Sequence, residues 1–383
     1  IYGNPWTLRQ EGWHYELADL DSELTYNGVV YNEMTGVFSS PDAILEQKVL
    51  SALFPDTPYG KESGGDPDAI PELTQAQFEE YHRTYYHPAN SYFYLYGDMN
   101  LEEQLQFIDE EYLSHFDRIQ VDSQISLQKA FMAPLEDKVS YPAAVGEEGQ
   151  EKALLSLNWA IDTHDSFVTM GLEVLCHVLL ETSASPLKRA LQEAVLAREI
   201  SGDFQDGILQ PIFSVVGTYG DEGRKEEFSQ TILTTLANLA QTGIDPKLIA
   251  GSLHRYEFQL REGVTGSTPK GLIYGIRAMN SWLYDGSPAD SLTYEEQLNH
   301  LKKGATEGLF ESLIEKYLLQ NTHRALVVAT PEAGLAEKRD QAMADKLQEW
   351  KKEQSKETLE KIIGETKELH RRQSEVDSEE SLE

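Results

Sequence analysis

The sequence predicts an α+β protein of two or more domains that ends in a charged helical hairpin. Its 383 residues exceed what one hydrophobic core usually supports, and a hydrophobic content of 40% is ordinary for a globular protein. Segments with the period-2 alternation of strands recur between longer segments of helical periodicity. From residue 332 onward, apolar residues at helical spacing are surrounded by charged ones.

Residues 1–118 have the pattern of the C-terminal part of a first α/β unit. A helix is predicted at 75–82, because apolar and aromatic side chains follow helical spacing there and Thr74 is a suitable N-cap. The aromatic run 92–96 predicts a strand from its β-propensity, and 101–113 predicts a second helix.

Residues 119–152 are poorer in regular pattern and predict a connection into a second domain at 153–331. This domain begins with a strand at 153–161, whose alternation of large apolar with smaller or more polar residues predicts one buried face. A helical stretch at 165–193 is broken near Pro186. The remaining predictions are a strand at 212–219, helices at 225–242, 246–261, 269–284 and 293–319, a strand at 323–330, and at 332–383 the start of a charged hairpin linker that turns near 354–355.

The charge of the chain bears on its partners. The formal net charge is −33, and residues 1–118 hold 22 acidic against 5 basic side chains, a net of −17. Nucleic acid is therefore excluded as a partner, because phosphate binding needs clustered Lys and Arg. We expect no membrane either, since apolar stretches such as 325–329 are only strand-sized. The acidic residues either keep the protein soluble or form a negatively charged surface that attracts cationic peptides, and the sequence leaves both interpretations open.

Few motifs carry chemistry by themselves. The only cysteine, Cys176, allows no internal disulfide, which favours a reducing compartment, and we expect a cytoplasmic protein. His177 and Glu181 stand one helical turn apart, but a catalytic zinc needs three protein ligands, so a hydrogen-bonded core histidine is the preferred interpretation. The glycine-rich run 63–66 lacks the lysine of a phosphate-binding loop.

Five short motifs occur in order over the first ninety or so residues: Glu11–Glu16 (EGWHYE), Gly28–Met34 (GVVYNEM), Ser63–Pro67 (SGGDP), Ile70–Thr74 (IPELT) and Tyr86–Asn90 (YHPAN). Together they strongly resemble the presequence-protease branch of the insulinase and pitrilysin superfamily of inverted zinc metallopeptidases. The resemblance is specific in the first quarter of the chain and continues more weakly through the charged helices.

The resemblance implies a role for Glu33. In that family a His-x-x-Glu-His helix supplies two zinc ligands and the general base, and a glutamate in the Asn-Glu-Met segment is the third ligand, which matches Glu33. It also implies that this segment is helical, whereas its Val-Val-Tyr content alone suggests a strand. No residue of this chain matches the two histidines or the general base, so we expect a piece of a longer protein that is inactive alone and does not retain Zn²⁺. Thr35 stands where the family often has lysine.

The family architecture implies tandem insulinase-type domains, each a mainly antiparallel sheet with helices on one face, which close as a chamber around unstructured peptides. Residues 1–118 would complete the zinc-site domain, 153–331 would form a non-catalytic one, and the missing parts of the polypeptide would be further partners. Ser63, Gly64, Gly65 and Asp66 are predicted to lie near bound peptide. The alternative is a non-catalytic peptide-binding or scaffold subunit of the same fold. The Asn90 and Asn321 regions share an order of elements, which is consistent with tandem domains.

Overall fold

The structure is a computed structural model that describes residues 1–144, 146, 150–163, 165–263 and 266–376. Its first part contains a small two-stranded antiparallel sheet and several helices. These elements are α1 (Pro5–Thr7), β1 (His14–Glu16), β2 (Thr25–Asn27), α2 (Val29–Val37), α3 (Pro41–Leu53), α4 (Gln75–Tyr85) and α5 (Leu101–Glu111).

A five-stranded sheet and its helices form the central part. The strands and helices are β3 (Leu135–Ala143), β4 (Ala153–Ala160), α6 (Ser166–Cys176), α7 (Pro186–Glu193), β5 (Ala197–Gln205), β6 (Ile212–Gly220), α8 (Lys225–Thr242), α9 (Pro246–Glu262), α10 (Lys270–Trp282), α11 (Glu295–Gly304), α12 (Leu309–Leu313) and β7 (Arg324–Ala333). The strand order is β3-β7-β4-β6-β5, and all neighbours are antiparallel except β3 with β7. The mainly antiparallel α+β class predicted from the sequence is therefore confirmed.

Both faces of the central sheet are buried. Along β4, Leu155, Leu157 and Trp159 enter the larger core, under α6, α7, α8 and α9. The intervening Leu154 and Ala160 enter a second core on the opposite face. We expected one buried face for this strand, and that expectation is wrong because a helix from the first part of the chain covers the other face.

The covering helix is α3. It begins with Ser40 as N-cap, whose side chain accepts a hydrogen bond from the Ala43 amide, and Pro41 is its first residue. Leu53 and Phe54, at its end, are fully buried against the sheet. The buried His323 donates from Nε2 to the Leu53 carbonyl at 2.8 Å, which fixes the end of α3 to the start of β7.

Residues 166–193 are long and apolar enough to cross a membrane by length and composition, and the described part of the chain holds one such segment. In the structure this segment is not one continuous helix. It consists of α6, a π-helical turn at His177–Glu181 and α7, with the predicted break before Pro186. Half of the 18-residue window that meets this test is buried, and its buried apolar residues belong to the larger core, which accounts for the apolar composition.

Other parts of the structure also differ from the sequence predictions. Tyr92–Tyr96 forms no strand, and no described residue pairs with it in a ladder. Its tyrosine rings lie on α10, where Gly271 and Gly275 leave room for Tyr96 and Tyr94. The region 119–152 contains β3. Strand β5 also had no predicted counterpart. The domain limits 1–118, 119–152, 153–331 and 332–383 stay a prediction.

The predicted charged hairpin is present as α13 (Leu335–Glu353) and α14 (Lys356–Gln373), which turn at 354–355. It folds back onto β1 and β2 through a third core of Leu17, Leu24, Leu347 and Ile362. Arg9 forms a bidentate ion pair with Glu365, with N–O distances of 2.6 and 3.0 Å. The hairpin is thus packed against the first elements of the chain. Residues 377–383, at the end of the predicted linker, lie outside the described residues.

Candidate functional site

The site predicted from the sequence is centred on α2, which carries Glu33. The Val-Val-Tyr residues are helical here in spite of their β-propensity, because tertiary contacts decide the conformation. Asn27 stabilises the start of the helix: its side-chain oxygen accepts hydrogen bonds from the Gly28 amide and from the Asn32 side chain, both at 2.8 Å. The helical conformation implied by the family resemblance is confirmed.

Four of the five motifs contact one another around this helix. Gly28 has a φ of 145°, and a Cβ there would lie 2.3 Å from the carbonyl oxygen of Gly12. The backbones of the Glu11–Glu16 and Gly28–Met34 motifs are therefore in close contact at this point. Gly64 lies against buried Met34, where a Cβ would come within 2.3 Å of the sulfur. The Trp13 indole donates to the Leu73 carbonyl at 2.8 Å. The motifs therefore hold α2 in place from several sides.

Glu33 itself is exposed on α2, next in sequence to buried Met34. It forms no hydrogen bond or ion pair with another residue that the structure describes, and the described residues include no group of three His, Cys, Asp or Glu side chains able to hold a metal. A catalytic zinc takes three protein ligands. The carboxylate chemistry fits one ligand of such a set, but the described part of the chain does not complete the set, and no catalytic step is assigned to it.

The predicted peptide-binding loop lies beside this helix. Gly65 adopts a φ of 96°, which favours glycine, and a Cβ there would lie 3.0 Å from the Ile70 side chain. Asp66 accepts a hydrogen bond from the Asp68 amide at 2.9 Å, so its carboxylate closes a turn of the loop. The structure thus brings Gly64 to α2 through Met34, while Asp66 serves local loop structure.

A titratable cluster lies where the β1–β2 sheet meets α14. His14 is buried, and its Nδ1 donates to the Arg9 carbonyl at 2.6 Å. Its Nε2 has no hydrogen-bond partner among the described residues and lies 3.9 Å from a carboxylate oxygen of Glu16. The Glu16 carboxylate also accepts a hydrogen bond from the Asn27 side-chain amide and lies 3.5 Å from His370 Nε2. Burial lowers the pKa of His14, which favours the neutral imidazole that donates to the Arg9 carbonyl. The contact of this cluster with the hairpin is the one between Glu16 and His370.

His177 is a hydrogen-bonded core residue, as expected. Its Nδ1 is 2.7 Å from the Ser252 hydroxyl, and its Nε2 is 3.9 Å from the Glu181 carboxylate. Burial lowers the pKa of His177. Sequence reasoning missed a different acid of the same segment, Glu173, which lines a cleft described below. The available signal was a single carboxylate inside an apolar helix.

The chain was compared with known families and structures. Residues 72–255 match a family model described as the Peptidase M16 inactive domain. The structure superimposes on a protease from Helicobacter pylori with a TM-score of 0.59 at 16% identity, covering 79% of this chain and 70% of the other. A Peptidase M16 inactive domain from Pseudomonas fluorescens gives a TM-score of 0.57 at 16% identity, covering 79% and 68%. The fold is therefore that of M16-like peptidases.

Sequence relatives narrow this class. The chain is 44% identical to Protein HypA of Clostridium perfringens over 100% of its own length and 40% of that protein. It is 37% identical to Presequence protease 1, chloroplastic/mitochondrial, of Arabidopsis thaliana over 98% of its length and 36% of the relative. The chain belongs to the presequence-protease branch of the insulinase and pitrilysin superfamily, as the motifs predicted. It spans at most 40% of the length of these two relatives.

Proposed function

We propose that this chain is part of a zinc-dependent metalloendopeptidase that hydrolyses short unstructured peptides in a closed chamber. The observation that carries the proposal is α2, a helix in which the family motif Asn-Glu-Met presents Glu33 to the surface while Met34 is buried. Glu33 would be one of three zinc ligands, and bound zinc would supply an activated water. The other ligands and the general base would come from parts of the parent protein outside this chain.

The role of this chain in the proposal is to bind and enclose the peptide. The relative from Arabidopsis is named for presequences, and targeting peptides of this kind are rich in arginine and poor in acids. A net charge of −33 favours such ligands electrostatically. The loop Ser63–Asp66 is proposed to lie near the bound peptide. A cytoplasmic location stays a prediction.

The decisive experiment replaces Glu33 by Gln in the full-length parent. We expect zinc content and peptide hydrolysis to fall together, because an amide is a weaker ligand than a carboxylate. The matched control is Glu102→Gln, which alters another exposed glutamate, in the first turn of α5. Unchanged zinc content in the Glu33→Gln parent would contradict the metal assignment.

The alternative of a non-catalytic peptide-binding subunit is favoured by one observation, the match of residues 72–255 to an inactive domain. The sequence that precedes this chain in the parent distinguishes the two. An intact His-x-x-Glu-His motif there, with stoichiometric zinc in the purified parent, supports the peptidase. Its loss, with retained peptide binding, supports the alternative. This chain alone is expected to lose zinc on dialysis.

A further inference from the structure

A cleft of about 540 Å³ lies in the central part of the chain, apart from α2. It is lined by residues of α6, α9 and α10 and of the loop that precedes α11. Its volume is in the range of small-molecule and side-chain binding sites. Nothing in the proposed zinc chemistry uses this cleft.

Three carboxyl groups line the cleft, and two of them, those of Glu173 and Asp206, belong to the elements at its inner side. Glu173 of α6 accepts a hydrogen bond from the Tyr256 hydroxyl of α9 at 2.6 Å, and both residues line the cleft. Asp206, just after β5, lies near the Asn280 side chain of α10, whose amide favours the ionised form of the carboxyl and so opposes the rise in its pKa. The two carboxyl groups therefore have polar neighbours on two separate helices.

The charges of the cleft are unbalanced. Arg277 is the one cationic residue of its lining, and it forms no direct hydrogen bond or ion pair with another described residue. Glu173 and Asp206 are both exposed to solvent in the open cleft. The cleft walls nevertheless displace part of the bulk water around the Glu173 carboxyl, which raises its pKa to about 7, and the negative charge of Asp206 adds to the rise. The same desolvation raises the pKa of Asp206. A second cation would relieve the repulsion between these carboxylates.

The charged and titratable groups that influence Glu173 come from every element around it. They are Tyr256 of α9, Arg277 of α10, Asp206 after β5 and Glu181 of the π-helical turn. The loop before α11 adds Tyr284, Asp290 and Tyr294 to the cleft lining. Burial raises the pKa of Tyr256, which keeps its hydroxyl protonated as a donor to Glu173.

The rest of the lining suits a long aliphatic stem. Met170, Leu260 and Ile273 give apolar surface, and Tyr256, Tyr284 and Tyr294 add aromatic rings. Lysine and arginine bury their methylene stems on apolar surface and place their charge against aromatic faces or carboxylates. We propose that this cleft binds a lysine or arginine side chain of an extended peptide, with Glu173 and Asp206 as its counter-charges.

The proposal rests on the proposed function, because its ligand is an unstructured peptide. It has a proton signature that surface attraction lacks. A bound cation favours the ionised form of Glu173, so binding near pH 7 releases a proton and tightens as the pH rises. Ordinary surface carboxylates are already ionised at this pH and release none.

The test uses two acetylated and amidated pentapeptides, one with a central arginine and one with norleucine, titrated calorimetrically into this chain in buffers of different ionisation enthalpy. We expect the arginine peptide to bind about tenfold more tightly and to release a proton. Glu173→Gln should remove both effects, and Asp206→Asn should weaken binding. Glu199→Gln, at an exposed site on β5 outside the cleft, should change neither.

Three results would overturn the proposal: equal binding of the two peptides, no binding of either at millimolar concentration, or unchanged affinity and proton release in folded Glu173→Gln. Circular dichroism checks that each variant is folded. If Glu173→Gln does not fold, the peptide affinity of Asp206→Asn takes its place, and unchanged affinity in that variant would overturn the proposal. Binding by this chain needs no metal. If this chain fails the peptide test while Glu33→Gln lowers the zinc content of the parent, only the cleft assignment is refuted. If this chain passes the peptide test while Glu33→Gln leaves the parent unchanged, only the metal assignment is refuted.

Discussion

The contact between the hairpin and the small sheet is open to a quantitative test at Leu17. This side chain is fully buried between β1 and the hairpin, and its amide donates to the Thr366 hydroxyl of α14 at 3.2 Å. Replacement by Ala removes three carbon groups, worth about 2.4 kcal/mol at ~0.8 kcal/mol each. With the cavity that remains, the loss is about 3 kcal/mol.

Because the core around Leu17 is separate from the two cores of the central sheet, the loss should be local. We expect amide hydrogen exchange in α13 and α14 to accelerate roughly 100-fold, since 1.4 kcal/mol corresponds to tenfold. Exchange in β4 and β7 should not change. Leu105→Ala, at a half-exposed site on α5, is the control. Acceleration that is equal in the hairpin and in the central sheet, or smaller than about threefold in the hairpin, would refute the separate packing of this core.

Two further predictions concern α2 and the end of α3. Gly28→Ala should displace α2 at a cost of about 2–4 kcal/mol and lower the zinc content of the parent, because its Cβ would meet backbone atoms of Gly12 and Trp13. Gly36→Ala is the control, since the space around Gly36 is open and the substitution should leave the zinc content unchanged. Equal loss of zinc in both variants would contradict this account. Burial lowers the pKa of His323, so the folded state holds it neutral and the free energy of unfolding should fall as the pH drops below about 6.5. Urea unfolding of His323→Gln should show a weaker fall over the same pH range, and an identical pH dependence would show that His323 does not contribute.

The central strands were predictable and the edge strands were not, for one physical reason. Strands β4, β6 and β7 lie inside the sheet and consist largely of apolar and β-branched residues, which periodicity detects. Strands β3 and β5 are the two edges, where charged residues are tolerated and protect against further pairing.

The aromatic run 92–96 shows the opposite case. Its composition favours a strand, but a strand needs a neighbour, and among the described residues its rings pack on a helix. Long helices were the most accurate predictions: the limits predicted for α8, 225–242, agree with the structure.

The two candidate sites differ in how far they could be recognised from the sequence alone. Glu33 was recognisable only because the motifs around it resemble a family, since an isolated exposed glutamate carries no signal. Glu173 was not recognisable, because its partner Tyr256 is 83 residues away and only the packing of α6 against α9 brings the two together. Helical spacing correctly placed both residues on helices but could not pair them.

The position of α3 limits how this protein can be divided. Val327 and Ala329 of β7 and Leu154 of β4 are shielded by a helix that precedes them by more than a hundred positions. A shorter polypeptide starting at residue 119 would expose these apolar residues to solvent as a patch on the sheet, and self-association would follow. Recombinant pieces intended to remain monodisperse should therefore retain residues 41–54 together with the strands.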